Sequence, residues 1–300
     1  MLRLGSDTVV YTMSARHAPA GRVPSGASVI FETLDCFENQ ITREYQLLSG
    51  IDWEHINPAT GPLFVEGALP GDVLKVDILD IRLASQGTMT ALPGDGALGS
   101  LLTQERTKII PISGGKALFS EQLALDLSPM IGVIGTAPAG GAEIPTGTPG
   151  LHGGNMDNRR IGKGSTLYLP VNVPGALLAI GDLHALMSDG EVLICGLEIP
   201  GEVEVRVEVL KELSIPLPLL CAGEEIITIA SAPTLDEAAL NAAQNMLRLI
   251  TCRSTLDPQE AGMLLSLRGE LCICQIVDPM KTARMEFPLD ILKQYGFHLP

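Results

Sequence analysis

Glu202-Val-Glu-Val-Arg-Val-Glu-Val-Leu210 alternates valine with a charged residue at almost every step. Side chains two apart on a strand point to one face, so this run is a strand with one wet and one dry side. A sheet with one solvated face is more often antiparallel. The signal repeats upstream. Ala27–Phe31, Val73–Leu79 and Lys108–Ile112 are short apolar runs bounded by Gly, Pro or Asp, and Gly71-Asp72 reads as a turn before the second of them. Thr166–Val171 and Ala176–Ile180 read as strands about a turn at Pro174-Gly175. Regularly spaced short strands predict a mainly β body, an antiparallel sandwich or barrel-like architecture, rather than repeated βαβ units.

The tail changes period. Thr234-Leu-Asp-Glu237 is a capping box, followed by Ala238, Ala239, Ala242, Ala243, Met246, Leu247 and Ile250 at helical spacing. Asp257-Pro258, with Glu260 at the third helical position, starts a second helix that Gly269 ends. A strand over Leu271–Val277 and a short helix over Leu289–Tyr295 follow. The expected fold is thus a β body over 1–216 and a helix-helix-strand-helix α+β unit over 217–300, divided near Pro216-Leu217-Pro218.

Of the 300 residues 46% are hydrophobic and only 4% aromatic, so a sizeable core must be built mostly of Leu, Ile, Val and Ala. The net charge of −15 argues against nucleic acid and anionic membranes as partners. No apolar run approaches the ~18 residues of a membrane span, and no secretory signal is visible at Met1–Thr8. Six cysteines without a C-x-x-C pair fit a reduced, cytoplasmic protein. Leftover apolar sheet surface predicts a homodimer.

Chemistry concentrates between Gly150 and Glu198. His152, Asp157, Asp182, His184, Asp189, Glu191 and Glu198 crowd a stretch of a chain that is only 18% charged. Asp182 and His184 are two apart, as are Asp189 and Glu191, so on strands each pair would converge on one point. Asp182 and His184 form a chelating pair for a divalent cation; the plainer alternative is a turn cap and a hydrogen-bonded core histidine. Glu191 and Glu198 flank an apolar run, E-V-L-I-C-G-L-E, expected as a strand. Burial there would raise their pKa values toward the range a general acid or base needs, unless they are exposed or salt-bridged strand ends. Asp189 is a third catalytic candidate or simply the first residue of an Asp-Gly turn. Cys36 is a weaker nucleophile candidate, and neither a G-x-S-x-G elbow nor a phosphate loop is present.

The motifs also carry a resemblance. H-G-G-N-M-D-N (His152–Asn158), G-D-L-H-A-L-M-S-D-G-E (Gly181–Glu191), F-E-T-L-D-C (Phe31–Cys36), N-P-A-T-G-P (Asn57–Pro62), E-G-A-L-P-G-D (Glu66–Asp72) and L-C-I-C-Q-I-V-D-P (Leu271–Pro279) resemble, in this order along the chain apart from the first two, the acetamidase/formamidase family. The resemblance implies a hydrolase that cuts small aliphatic amides to carboxylate and ammonia. It implies Asp157 and Asp35 as further oxygen donors to a metal held by Asp182 and His184, zinc or else calcium. His152 would be a ligand or would hold the substrate carbonyl, and Asn57 and His55 are further substrate-binding candidates. Hydrolysis of a lactam by the same groups, or a catalytically silent ligand-binding relative, are the rival readings. Two departures bear on specificity: Ser188 stands where the family pattern has Gly, and Leu193-Ile194-Cys195 replaces a small, polar Cys-Gly-Thr. They predict that formamide and acetamide are poor substrates.

Overall fold

The computed structural model describes residues 1–299. The run that alternates in sequence forms the strand Gly201–Leu210, paired antiparallel with Ser28–Thr33 on one side and Val73–Leu83 on the other. Val203, Val205 and Val207 are fully buried, while Glu202, Glu204 and Arg206 face a charged outer surface. These three strands sit in a nine-stranded sheet. Its order is Leu2–Leu4, Ser28–Thr33, Gly201–Leu210, Val73–Leu83, Thr166–Pro170, Leu219–Ala222, Glu225–Ala232, Lys281–Pro288, Glu270–Gln275. Only the first pair is parallel. Strands from both sides of the expected division at Pro216–Pro218 therefore share one sheet.

A second sheet packs on the dry face. It runs Gly153–Asn155, Met130–Gly135, Ala176–His184, Ala59–Val65, Val9–Val10. Met130–Gly135 and Ala176–His184 are buried at every residue, which is why they read as unbroken apolar runs rather than alternating ones. Between the two sheets lies the main core, with Phe31, Leu74, Val76 and Val205 from one side and Leu63, Ile134, Leu178 and Ile180 from the other. A four-stranded antiparallel meander over Gln86–Ala91, Arg106–Ser113, Lys116–Ser120 and Leu123–Asp126 stands beside this sandwich.

The helices cover one face of the far end of the large sheet. Leu235–Arg253 and Pro258–Arg268 bury Ala242, Met246, Leu249, Ala261 and Leu265 against Ile226, Met285 and Phe287. Both caps form: Thr234 Oγ1 accepts from Glu237 N and Asp257 Oδ1 from Glu260 N. Glu237 does not reach back to the cap amide, however; its carboxylate accepts from the Thr234 hydroxyl at 3.0 Å.

Two sequence expectations need correction. The tail holds three strands beyond the expected one: Leu219–Ala222 and Glu225–Ala232 before the helices, and Lys281–Pro288 between the expected strand and the last helix. Lys281–Pro288 carries the alternation Ala283-Arg-Met-Glu-Phe287 in sequence, yet nearly every residue is buried, Arg284 and Glu286 included, and these two pair with each other at 2.6 Å. And 191–198 is not a strand. Glu191 has a left-handed backbone (φ 44) after Gly190 (φ 99), and the segment crosses irregularly until Glu198 bridges Thr88 and His184.

Candidate active site

The site is built at the end of the strand Ala176–His184. Opposite it, Met130–Gly135 pairs Met130 with His184, Ile131 with Leu183 and Val133 with Gly181. Gly132 thus lies across from Asp182. A Cβ there would meet Asp182 Oδ2 and would come within 2.6 Å of Asp157 Oδ1. Only glycine lets two carboxylates approach this backbone. On the other side Gly196 closes on the imidazole, where a Cβ would stand 2.7 Å from His184 Nδ1.

His184 Nε2 is the centre of the cluster. It lies 2.9 Å from Glu198 Oε1, 3.4 Å from Asp182 Oδ1 and 3.9 Å from Asp157 Oδ1, with all four side chains buried. Glu198 Oε1 also accepts the Gly196 N–H at 2.9 Å. Ligand atoms of Asp157, His184 and Glu191 all lie within 4.8 Å of one another, and so do those of Cys36, Asp182 and Glu198. Asp157, Asp182, Glu191 and the nearby Asn57 each have positive φ, between 43 and 53°. Non-glycine residues seldom adopt that conformation, and outliers of this kind gather at functional sites.

Crowding fixes the electrostatics. Burial pushes Asp157 up to about 7, with the Asp182 charge adding to it. Burial pushes Glu198 up to about 8. Glu191 is raised well above the usual carboxylate range, by burial first and then by Asp157. Asp182 is the exception: burial pushes it up, but the His184 charge together with hydrogen bonding to His184 and Glu198 outweighs that and holds it low. His184 is raised, because Glu198 and Asp182 overcome the lowering effect of burial.

Five buried carboxylate oxygens here, Asp157 Oδ1 and Oδ2, Asp182 Oδ1, Glu191 Oε2 and Glu198 Oε2, have no hydrogen-bond partner among the described residues; nor does His184 Nδ1. Buried acceptors left unpaired are costly and rare. Carboxylate oxygens with an imidazole nitrogen are a donor set that suits a divalent cation such as zinc. The residues present therefore fit a metal.

Other sequence candidates lie elsewhere. Asp189 and Glu191 do not converge, because positive φ at Gly190 and Glu191 breaks the two-residue alternation. Asp189 turns to Arg284, which grips it with two bonds of 2.7 and 2.8 Å. Asp35 anchors its own turn: its Oδ1 accepts from Phe37 N and Asn39 N, and burial raises it to about 6, close enough to Asp182 to feel that charge. His152 is buried with Nε2 unpartnered, and burial lowers it to about 4. His55 is half exposed, 3.1 Å from Asp52, with its ring tilted 40° to that of Tyr11 at a centroid distance of 5.2 Å. Asn57 lines a cavity of about 490 Å3 shared with Tyr11, Cys36, Thr146 and Asp278.

Asp278 is the residue sequence reasoning missed. It is buried and raised well above the carboxylate range, first by burial and then by the charges of Asp157 and Glu191, and it accepts from Asn155 Nδ2 at 3.0 Å. The signal was available: it is the only acid in the L-C-I-C-Q-I-V-D-P run. A second cavity, about 250 Å3 and mostly apolar, lies on the other side of the 191–196 crossing. Ser188, Leu193 and Cys195 line it together with Glu191, whereas Ile194 faces the first cavity. Cys195 Sγ lies 3.4 Å from Thr90 N.

Comparison with known proteins agrees with this geometry. The sequence profile of the Acetamidase/Formamidase family matches residues 16–146 and 140–224. The crystal structure of an acetamidase from Bacillus halodurans superposes with a TM-score of 0.97 at 52% identity, covering 98% of this chain and 99% of that one. A formamidase from Methylophilus methylotrophus is 26% identical over 54% of this chain and 54% of that protein. An acetamidase from Mycolicibacterium smegmatis is 28% identical over 54% of this chain and 55% of its own length. The matches thus span between about half and two thirds of the curated relatives' length. With the profile covering most of residues 16–224 and a near-complete structural match, this chain belongs to the acetamidase/formamidase family.

Proposed function

We propose that this protein hydrolyses the carbon-nitrogen bond of small linear amides, releasing ammonia and a carboxylate, with a divalent cation at the His184 cluster. The observation that carries the reading is the set of unpartnered buried carboxylate oxygens around His184 in a chain of this family. Asp157, Asp182 and His184 would hold the cation, His184 through Nε2, with Glu198, whose Oε1 lies 2.9 Å from that nitrogen, as a further oxygen donor rather than a hydrogen-bond partner of it. When bound, such an ion polarises a carbonyl and lowers the pKa of water.

Glu191 is the proton carrier in this reading. Of the raised carboxylates on the cluster it is the one that also lines the apolar cavity, so it can touch a substrate there. It takes a proton from the attacking water as oxygen bonds to the carbonyl carbon. It returns the proton to nitrogen as the C–N bond breaks, so that neutral ammonia leaves. A raised pKa suits both halves of that transfer. Cys36 is less suited to attack, since burial pushes its thiol well up and the charges of Glu198 and Asp182 push it further. The test is ammonia release from an amide panel before and after chelation. Turnover that survives full removal of bound metal, or a Glu191→Gln variant as active as the parent, would sink this mechanism.

The assembly reading is a homodimer. It is supported by Met263, Leu267, Leu271 and Ile273, which remain exposed on the second helix and the edge strand beside it. Light scattering at micromolar concentration tests it, and a particle of 31.8 kDa would refute it. A reduced cytoplasmic setting is supported by the six free cysteines. No helix among the described residues is long and apolar enough to cross a membrane.

A further inference from the structure

The 250 Å3 cavity has two ends of different character. Its inner end is formed by Glu191 and Gly196, and Gly196 is the residue that donates to Glu198 and closes on His184 Nδ1. Its outer end is formed by Phe119, Leu125 and Val192, each more than a third exposed. Between them the wall is mostly apolar, with Met89, Ala117, Leu186, Leu193 and Leu197; besides Glu191 its one charged lining residue is Asp189, whose carboxylate is gripped by Arg284. The cavity is thus a mostly apolar pocket that meets solvent at Phe119, Leu125 and Val192 and has Glu191, a member of the cluster, in its lining.

We infer that this cavity is the acyl subsite, and that the preferred substrates are amides whose acyl group carries about six carbons, straight-chain or aromatic, rather than formamide or acetamide. The inference rests on the amide-hydrolase reading above. Size supports it: an engineered apolar cavity of roughly 150 Å3 takes up benzene, and this one is larger. A formyl or acetyl group would leave most of the apolar wall in contact with water, forgoing the gain from its burial. The carbonyl end of a longer acyl chain would instead lie at Glu191, with the chain pointing out past Leu193 toward Val192. The geometry also explains the departures from the family pattern. Leu193 puts apolar bulk on this wall, Cys195 leaves it without a threonine hydroxyl, and Ser188 lies at the same cavity.

The test uses the metal-loaded protein and two independent readouts. In the first, kcat/KM is compared for acetamide, butyramide, hexanamide and benzamide; hexanamide is expected to exceed acetamide at least tenfold. In the second, acetate, butyrate and hexanoate are titrated by calorimetry, which needs no turnover; affinity is expected to rise roughly threefold per added methylene. Ala117→Phe fills the middle of the cavity and Val192→Trp narrows its exposed mouth without touching the core. Each should cut the hexanamide-to-acetamide ratio, and the hexanoate-to-acetate affinity ratio, tenfold or more. Equal binding of acetate and hexanoate, or ratios unmoved by Val192→Trp, overturns the subsite. If no amide is cleaved but graded carboxylate binding is present and lost in the variants, the subsite stands and the hydrolase reading falls. If acetamide is the best substrate and both ratios are flat, the hydrolase reading stands and the subsite falls.

Discussion

Glu202 and Glu204, on the outer face of the nine-stranded sheet, are held by Arg3 and Arg82 at 2.6–3.1 Å, and Asp80 beside them is shared by Arg82 and Lys163. Around His184, by contrast, Asp157, Asp182 and Glu198 converge on one imidazole, with Glu191 and Asp278 close behind. The first group alternates acid with base in water, where each pair contributes at most about 1 kcal/mol. The second concentrates acids away from water, where every unpaired charge is costly. A chain can bear the second arrangement only if protons or a cation neutralise it. The surface acids are thus fitted to solubility, and the buried ones to function.

The largest expected effect comes from removing the centre of the buried group. His184→Ala should lower amide turnover by ~1,000-fold or more and abolish metal binding, because no other base then faces the carboxylates. Elemental analysis and ammonia assays read it. A variant that keeps stoichiometric metal would show that the carboxylates alone hold the ion.

Next comes pH. The folded pKa values of Asp157, about 7, and Glu198, about 8, lie above those of the unfolded chain. The folded state therefore binds more protons than the unfolded one over the intervening range. Stability is fully present below the unfolded values near 4 and is lost as pH rises through 7 to 8. The chelated protein should melt roughly 5 °C or more lower at pH 8 than at pH 5.5, and saturating divalent cation should remove the difference. A chelated protein that melts higher at pH 8 would contradict the reading.

Asp189 provides an intermediate case, a carboxylate in the same motif that shares a buried arginine with Glu286. Asp189→Ala leaves Arg284 with the Glu286 carboxylate and weaker contacts to the Ile273 carbonyl and Cys274 Sγ. It should cost about 1–3 kcal/mol of stability by urea unfolding while turnover falls less than tenfold; a thousandfold loss of kcat with no loss of stability would return Asp189 to the chemistry. The smallest effect belongs to the surface. Arg82→Ala, although Arg82 touches three acids, should change unfolding free energy by less than about 1 kcal/mol and leave amide turnover unaltered.

Local signals were legible where one physical rule dominates. The valine alternation at Val203, Val205 and Val207 survives because one face of that strand is wet, and the Thr234 and Asp257 caps survive because a capping side chain acts only within its own turn. The signals failed where burial is two-sided or the backbone is unusual. Met130–Gly135 hides as a strand because both faces are covered and no polar residue marks its period. Asp189 and Glu191 separate because Gly190 and Glu191 turn left-handed, which spacing alone does not disclose.

By itself the sequence determined which residue types are available: a β body, a capped helical tail, and a run of acids with His184 dense enough to announce chemistry. Motif resemblance extended that to a family. Only the tertiary structure decided which acids meet. Asp278, about 80 residues beyond Glu198, reaches the cluster because the tail of the chain folds back onto it, and Asp35 is left at the margin because its oxygen is taken by its own turn. Proximity between distant segments depends on how two sheets and a crossing loop pack, and the pattern within any one segment does not carry that information.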